Sequence, residues 1–159
     1  MRLYIKQKVF SFKDRFTIVD EFENVIYTVE GKVFSLGKKL KIFDAFQEEV
    51  AYIEEKVLSF RPRYSIIIDQ QEIIVHKKFS FLSKYAIEGS DWVLKGDFFD
   101  HDYEIVEGSE PIMKLTKKWF TWGDSYELDI ENNQDTLLSV CIVLVIDACI
   151  EKANTSSAA

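Results

Sequence analysis

The stretch from Leu137 to Ile150, LLSVCIVLVIDACI, is apolar except at Ser139 and Asp147, in a chain that elsewhere alternates apolar with polar residues. A segment that is apolar all round must be buried all round. It is too short for a bilayer, whose hydrocarbon core needs about 20 predominantly apolar residues, and Asp147 interrupts it. The β-branched residues Val140, Ile142, Val143, Val145 and Ile146 would equally suit a strand, but strands rarely exceed about ten residues. The pattern therefore predicts one helix over about 135–152, with Asp135 at its N-cap, roughly 27 Å long at the helical rise. The rest of the chain must wrap around it.

That remainder repeats. IVDEFENVIYTVE (Ile18 to Glu30) recurs as IFDAFQEEVAYIE (Ile42 to Glu54), and IIIDQQEIIVHK begins at Ile66, each copy 24 residues after the last. Each copy reads as strand, polar turn at an acidic residue, strand, which is a β-hairpin. A longer repeat lies over this one: Tyr27 to Gly31 reappears as Tyr85 to Gly89, and Ser59 to Tyr64 resembles Thr121 to Tyr126. About ten to twelve strands precede the helix, and no Gly-, Pro- or Ser-rich linker divides them. The expectation is a mainly β protein: a closed antiparallel barrel of about twelve strands enclosing the helix, one domain over 1–152, with 153–159 a disordered tail.

Charge bounds the partners. The chain has 159 residues and a net charge of −7, which disfavours a nucleic-acid binder relying on phosphate neutralisation. Residues 1–79 carry 14 Lys/Arg against 12 Asp/Glu, whereas the rest carry 6 against 15, so a cationic face in the N-terminal half remains open. The segment MRLYIKQKVFSFKDR has no apolar leader core, so the expected location is cytoplasmic, with no transmembrane segment. Cys141 and Cys149 are eight residues apart within the predicted helix, too far apart for a disulfide, and read as core-filling thiols.

Catalytic patterns fail individually. Gly31 and Gly37-Lys38-Lys39 lack the spacing and hydroxyl of a phosphate loop. His76 and His101 have no serine elbow or cysteine partner at family spacing. No cofactor motif is present. The acidic run Asp97, Asp100, Asp102 and Glu104, and the trio Glu127, Asp129 and Glu131, offer oxygen ligands for a hard cation but lack an EF-hand's Gly turn and distal Glu. On the cationic side, Lys38, Lys39, Lys41, Arg61 and Arg63, with Lys77 and Lys78 and the aromatics Phe34, Phe43, Phe60 and Tyr64, form a candidate anionic-ligand patch. The 23 aromatics, Trp92, Trp119 and Trp122 among them, read first as core and barrel-end filler.

Taken together, Lys8 to Asp20 (KVFSFKDRFTIVD), Val29 to Asp44 (VEGKVFSLGKKLKIFD), the strand from Tyr64 to Asp69, Asp91 to Ile105 (DWVLKGDFFDHDYEI), Lys117 to Glu131 (KKWFTWGDSYELDIE) and the Leu137-to-Asp147 helix resemble, in order and spacing, the LURP-one-related family in its YxjI-like bacterial branch. The resemblance covers residues 2–152. It implies the Tubby C-terminal-like fold, a twelve-stranded barrel threaded by a hydrophobic C-terminal helix, and it brings no established activity. Similar folds occur in domains that bind phosphoinositide headgroups and in phospholipid scramblases. Three functional expectations follow: a non-enzymatic binding or scaffold module of unknown ligand acting through surface and loops, its partner left open between a protein and an anionic lipid headgroup; a peripheral binder of membranes or anionic phospholipid headgroups; and a metal-dependent enzyme using the 97–104 segment.

Overall fold

The computed structural model describes residues 1–6, 15–32, 36–78, 84–120 and 123–157. Among the described residues, twelve strands precede the helix: β1 (Arg2–Lys6), β2 (Arg15–Asp20), β3 (Val25–Lys32), β4 (Lys39–Phe43), β5 (Glu49–Glu55), β6 (Arg63–Ile68), β7 (Gln71–Lys77), β8 (Tyr85–Glu88), β9 (Trp92–Asp97), β10 (Asp102–Glu107), β11 (Glu110–Phe120) and β12 (Gly123–Ile130). A 3₁₀ turn at Asn133–Asp135 leads into α1 (Thr136–Ser157).

The 24-residue repeat is visible in the hairpins. β2, β4 and β6 begin at Arg15, Lys39 and Arg63. At the first turn Asp20 Oδ1 accepts the N–H groups of Phe22 and Asn24, both at 2.8 Å, and Glu23 takes a left-handed φ of 65°. Asp44 does the same for Phe46 (2.9 Å) and Glu48 (3.0 Å), with Gln47 at φ 66°. This is why an acid opens each turn: its carboxylate caps backbone donors that the ladder cannot reach. The third turn is tighter, with Asp69 and Gln70 both left-handed, as a two-residue hairpin turn requires.

Alternation within strands decides what lies inside. Phe16, Ile18, Leu40, Ile42, Ala51, Ile53, Tyr64 and Ile66 point into the barrel and meet the helix, where every residue from Val140 to Ile146 is at most 1% exposed. A helix with no polar face fits here because the sheet surrounds it. It is also longer than its sequence predicts. Instead of a disordered tail from residue 153, the helix runs to Ser157. Thr155 Oγ1 donates toward the Glu151 carbonyl at 3.2 Å, and Ser156 Oγ to the Lys152 carbonyl at 2.9 Å, so the short hydroxyl side chains that read as tail residues bond back onto carbonyls of the last turns.

All pairings in the sheet are antiparallel, in the order β8-β7-β6-β5-β4-β3-β2-β1-β12-β11-β10-β9. The barrel is therefore nearly closed rather than closed: β8 and β9 are its two edges. β8 has only four residues, and packing joins the seam where a ladder does not. The rings of Tyr85 and Phe98 meet edge to face at 5.0 Å, and Phe98 meets Tyr103 at 5.0 Å.

Antiparallel order also sorts the connections between two rims. The turns β2–β3, β4–β5, β6–β7, β8–β9 and β10–β11 lie at the rim where α1 enters, beside the Met1 amino group that donates to the Ile130 carbonyl at 2.7 Å. The connections β3–β4, β5–β6, β7–β8 and β9–β10 lie at the opposite, exit rim, around the C-terminal part of α1.

Candidate functional site

Three links fasten the helix to the exit rim. Asp147 Oδ1 lies 3.2 Å from His101 Nε2, and the imidazole stacks on Tyr126 at 4.4 Å. Burial pushes the Asp147 carboxyl above its ordinary range, with His101 opposing it. Glu151 pairs with Lys38, and Lys152 with Glu55. Burial raises the Glu55 carboxyl as well, but the Lys152 ammonium and the Lys38 N–H, which donates at 3.0 Å, together outweigh it and leave the group below its usual value. Cys141 and Cys149 are buried free thiols, and burial pushes Cys149 up to about 12. Thiols held this far from the thiolate form are inert.

The five cations of the candidate patch are distributed over rim and wall. Lys38 is at the exit rim, after the left-handed Gly37, whose φ is +84°. Lys39 and Lys41 stand on the outer face of β4, where Lys39 meets Glu54 at 3.3 Å and Lys41 meets Glu49 at 2.8 Å. Arg63 pairs with Glu88 at 3.0 Å, and Arg61 is an exposed rim residue. Arg15 meets Glu30 at 3.5 Å, so Arg15, Lys39 and Arg63, each the first residue of its strand, all face a glutamate. Lys39 and Arg63 are thus part of the repeat's own ion-pair pattern. Phe34, one of the aromatics flanking the patch, and Trp122 lie outside the described residues.

The rims differ sharply. Among the described residues, the exit-rim connections hold Lys38, Lys56, Arg61, Lys78 and Lys84 against Asp100 alone. The entry-rim turns hold Glu21, Glu23, Asp44, Glu48, Asp69, Asp91, Glu131 and Asp135 and no Lys or Arg. The exit rim also exposes Leu36, Val57, Leu58, Phe60 and Phe99. The expectation that aromatics fill core and barrel ends holds for Trp92, Phe98 and Tyr103, which are buried, and fails for Phe60 and Phe99 here and for Phe22 and Phe46 at the entry rim. Each of Phe22, Phe46 and Phe99 sits two residues after a turn-capping aspartate, a position that points outward. Sequence reading missed this grouping, although a signal was there: Lys32-Val-Phe-Ser-Leu36 recurs as Lys56-Val-Leu-Ser-Phe60.

The acidic segment is used structurally. Asp97 Oδ1 accepts the N–H groups of Phe99 and Asp100, both at 3.1 Å, and Asp102 faces Lys114 at 3.9 Å. Among the described residues, no group of three or more His, Cys, Asp or Glu side chains is placed to hold a metal ion. Glu127 accepts from the Tyr4 hydroxyl at 3.0 Å, and Asp129 lies 3.6 Å from Arg2. An open cleft of about 530 Å³ at the entry rim is lined by Trp92, Pro111, Gln134 and four carboxylates. Among the described residues, no helix is long and apolar enough to cross a membrane.

Comparison with known proteins places this architecture. The family model for LURP-one-related proteins matches residues 1–147. The chain belongs to the LURP-one-related family. Within it, the uncharacterized protein YxjI of Bacillus subtilis (strain 168) is 39% identical over 149 residues, covering 92% of each chain. An X-ray structure of a protein from Arabidopsis thaliana superposes with a TM-score of 0.64 at 17% identity, over 92% of this chain and 90% of that one. That likeness carries the fold, and the LURP-one-related barrel around its helix is the Tubby-like architecture that the resemblance implies.

Proposed function

We propose that this protein is a non-enzymatic binding module whose working face is the exit rim. One observation carries the reading: five apolar side chains are held out in water on the rim where cations outnumber acids among the described residues, while the turns of the opposite rim hold eight carboxylates and no Lys or Arg among the described residues. The barrel interior is filled by the helix, which leaves surface and loops as the means of action. Soluble proteins rarely gather exposed apolar groups without a contact to make, and the surrounding charge selects an anionic partner.

Hydrogen exchange on the purified protein, with and without whole-cell extract, tests this. Added protection at 36–38, 56–62 and 98–101 supports the reading. Protection confined to the entry-rim cleft at Trp92, Pro111 and Gln134, or consumption of an extract metabolite by the protein, contradicts it.

A further inference from the structure

The exit rim carries exposed apolar side chains on three of its connections. At the β5–β6 connection, Lys56 N–H donates to the Arg63 carbonyl at 2.8 Å, Ser59 N–H to the Lys56 carbonyl at 3.1 Å, and Lys77 N–H to the Pro62 carbonyl at 3.0 Å. This closes the neck of the loop and presents Leu58 and Phe60, 101% and 100% exposed, at its tip. Leu36, 88% exposed, projects from the β3–β4 connection, and Phe99 from the β9–β10 turn. The Lys84 ammonium lies 4.5 Å from the Phe99 ring centroid, and Lys56 and Arg61 bracket the Leu58–Phe60 tip. Apolar points interleaved with cations therefore project from three separate connections.

Resting on the reading of this rim as the working face, we infer that its partner is an anionic phospholipid membrane, with Leu58, Phe60, Leu36 and Phe99 entering the headgroup–acyl boundary. Apolar side chains set on three separate connections, with cations between them, do not form the continuous, complementary core of a protein interface. A fluid interface accepts them individually, as it accepts amphipathic surface anchors. The charges give the orientation: the basic rim faces the anionic headgroups, and the acidic rim, with eight carboxylates and no Lys or Arg among the described residues, faces away. Several of the cations are already engaged, Lys38 with Glu151 and Lys56 with Glu72 at 3.7 Å. Electrostatic attraction therefore recruits, and the apolar tips hold. The helix takes no part, since its apolar residues are committed to the barrel.

Cosedimentation of the full chain with vesicles of phosphatidylcholine alone, or mixed with phosphatidylserine, at low and high salt, tests this. Binding to the anionic vesicles is expected, with a fraction surviving high salt. Leu58→Ser with Phe60→Ser should weaken partitioning roughly 100-fold, about tenfold per tip residue, at unchanged melting temperature. The entry-rim pair Phe22→Ser with Phe46→Ser should leave it unaltered. Failure to bind anionic vesicles, or binding insensitive to Leu58→Ser/Phe60→Ser, overturns the inference. So does head-to-tail association of copies in sedimentation velocity that the tip variant abolishes. If vesicles fail but extract still protects the exit rim from exchange, only the membrane is wrong; if both fail, the working face itself is wrong.

Discussion

A core helix and a surface helix differ in how they respond to truncation on opposite sides. Ile142 and Leu144 are both 0% exposed and lie about 200° apart around the helix axis. If the sheet encloses the helix, Ile142→Ala and Leu144→Ala each remove about three buried carbons and leave a cavity that packed neighbours cannot fill, a cost of about 3 kcal/mol apiece. In a domain of this size that lowers the melting temperature by roughly 6–12 °C. Urea denaturation followed by circular dichroism gives both values on one scale, with the slope as a check that the unfolded state is unchanged. A helix laid on the outside of a sheet would give one large and one negligible loss. Either variant falling within about 0.5 kcal/mol of the parent protein would refute the enclosure.

The three fastenings and the strained turns make further predictions. Glu55, held below its ordinary value, contributes stability that is present above its unfolded pKa and lost as pH falls through its lower folded one. Glu55→Gln should therefore cost about 1–3 kcal/mol at neutral pH, and the gap should close in acid melts. Asp147 has the opposite sign: its raised carboxyl penalises the folded state above the folded pKa. Asp147→Asn keeps an acceptor for His101, so its stability relative to the parent should rise as pH increases through that value; a neutral-pH loss above about 1 kcal/mol would contradict this. At Gly96, φ is +126° and an added Cβ would sit 2.6 Å from the Asp102 carbonyl oxygen, whereas Gly108 at φ +61° has open space. Chemical melts should show Gly96→Ala losing more than about 2 kcal/mol and Gly108→Ala about 1.

The fold was legible because its two periods are strong. The apolar run from Val140 to Ile146 could only be enclosed, and the spacing of Asp20 and Asp44 marks hairpin turns that use those carboxylates in the same way. Three-dimensional neighbours were not legible. Glu49, Glu54 and Glu88, which meet Lys41, Lys39 and Arg63, belong to adjacent strands or, for Glu88, a strand two positions away in the sheet. A list of cations read along the chain cannot show its own counterions. Asp147 stands out in the sequence as the one acid inside the apolar stretch, yet its partner His101 lies on a turn 46 residues away in sequence. The contrast between rims needed the antiparallel order, which sends alternate connections to opposite ends and so separates Lys56 and Arg61 from Asp44 and Asp69.

The two rims can be compared directly in one molecule. Cys141 and Cys149 are buried and will not react with a thiol-specific dye in the folded protein, so a single cysteine placed by Leu58→Cys or by Phe46→Cys carries a polarity-sensitive fluorophore at the exit or the entry rim alone. On titration with vesicles containing phosphatidylserine, the account predicts a blue-shifted, enhanced emission from position 58 and none from position 46. Equal responses at both rims, or a response only at position 46, would contradict it.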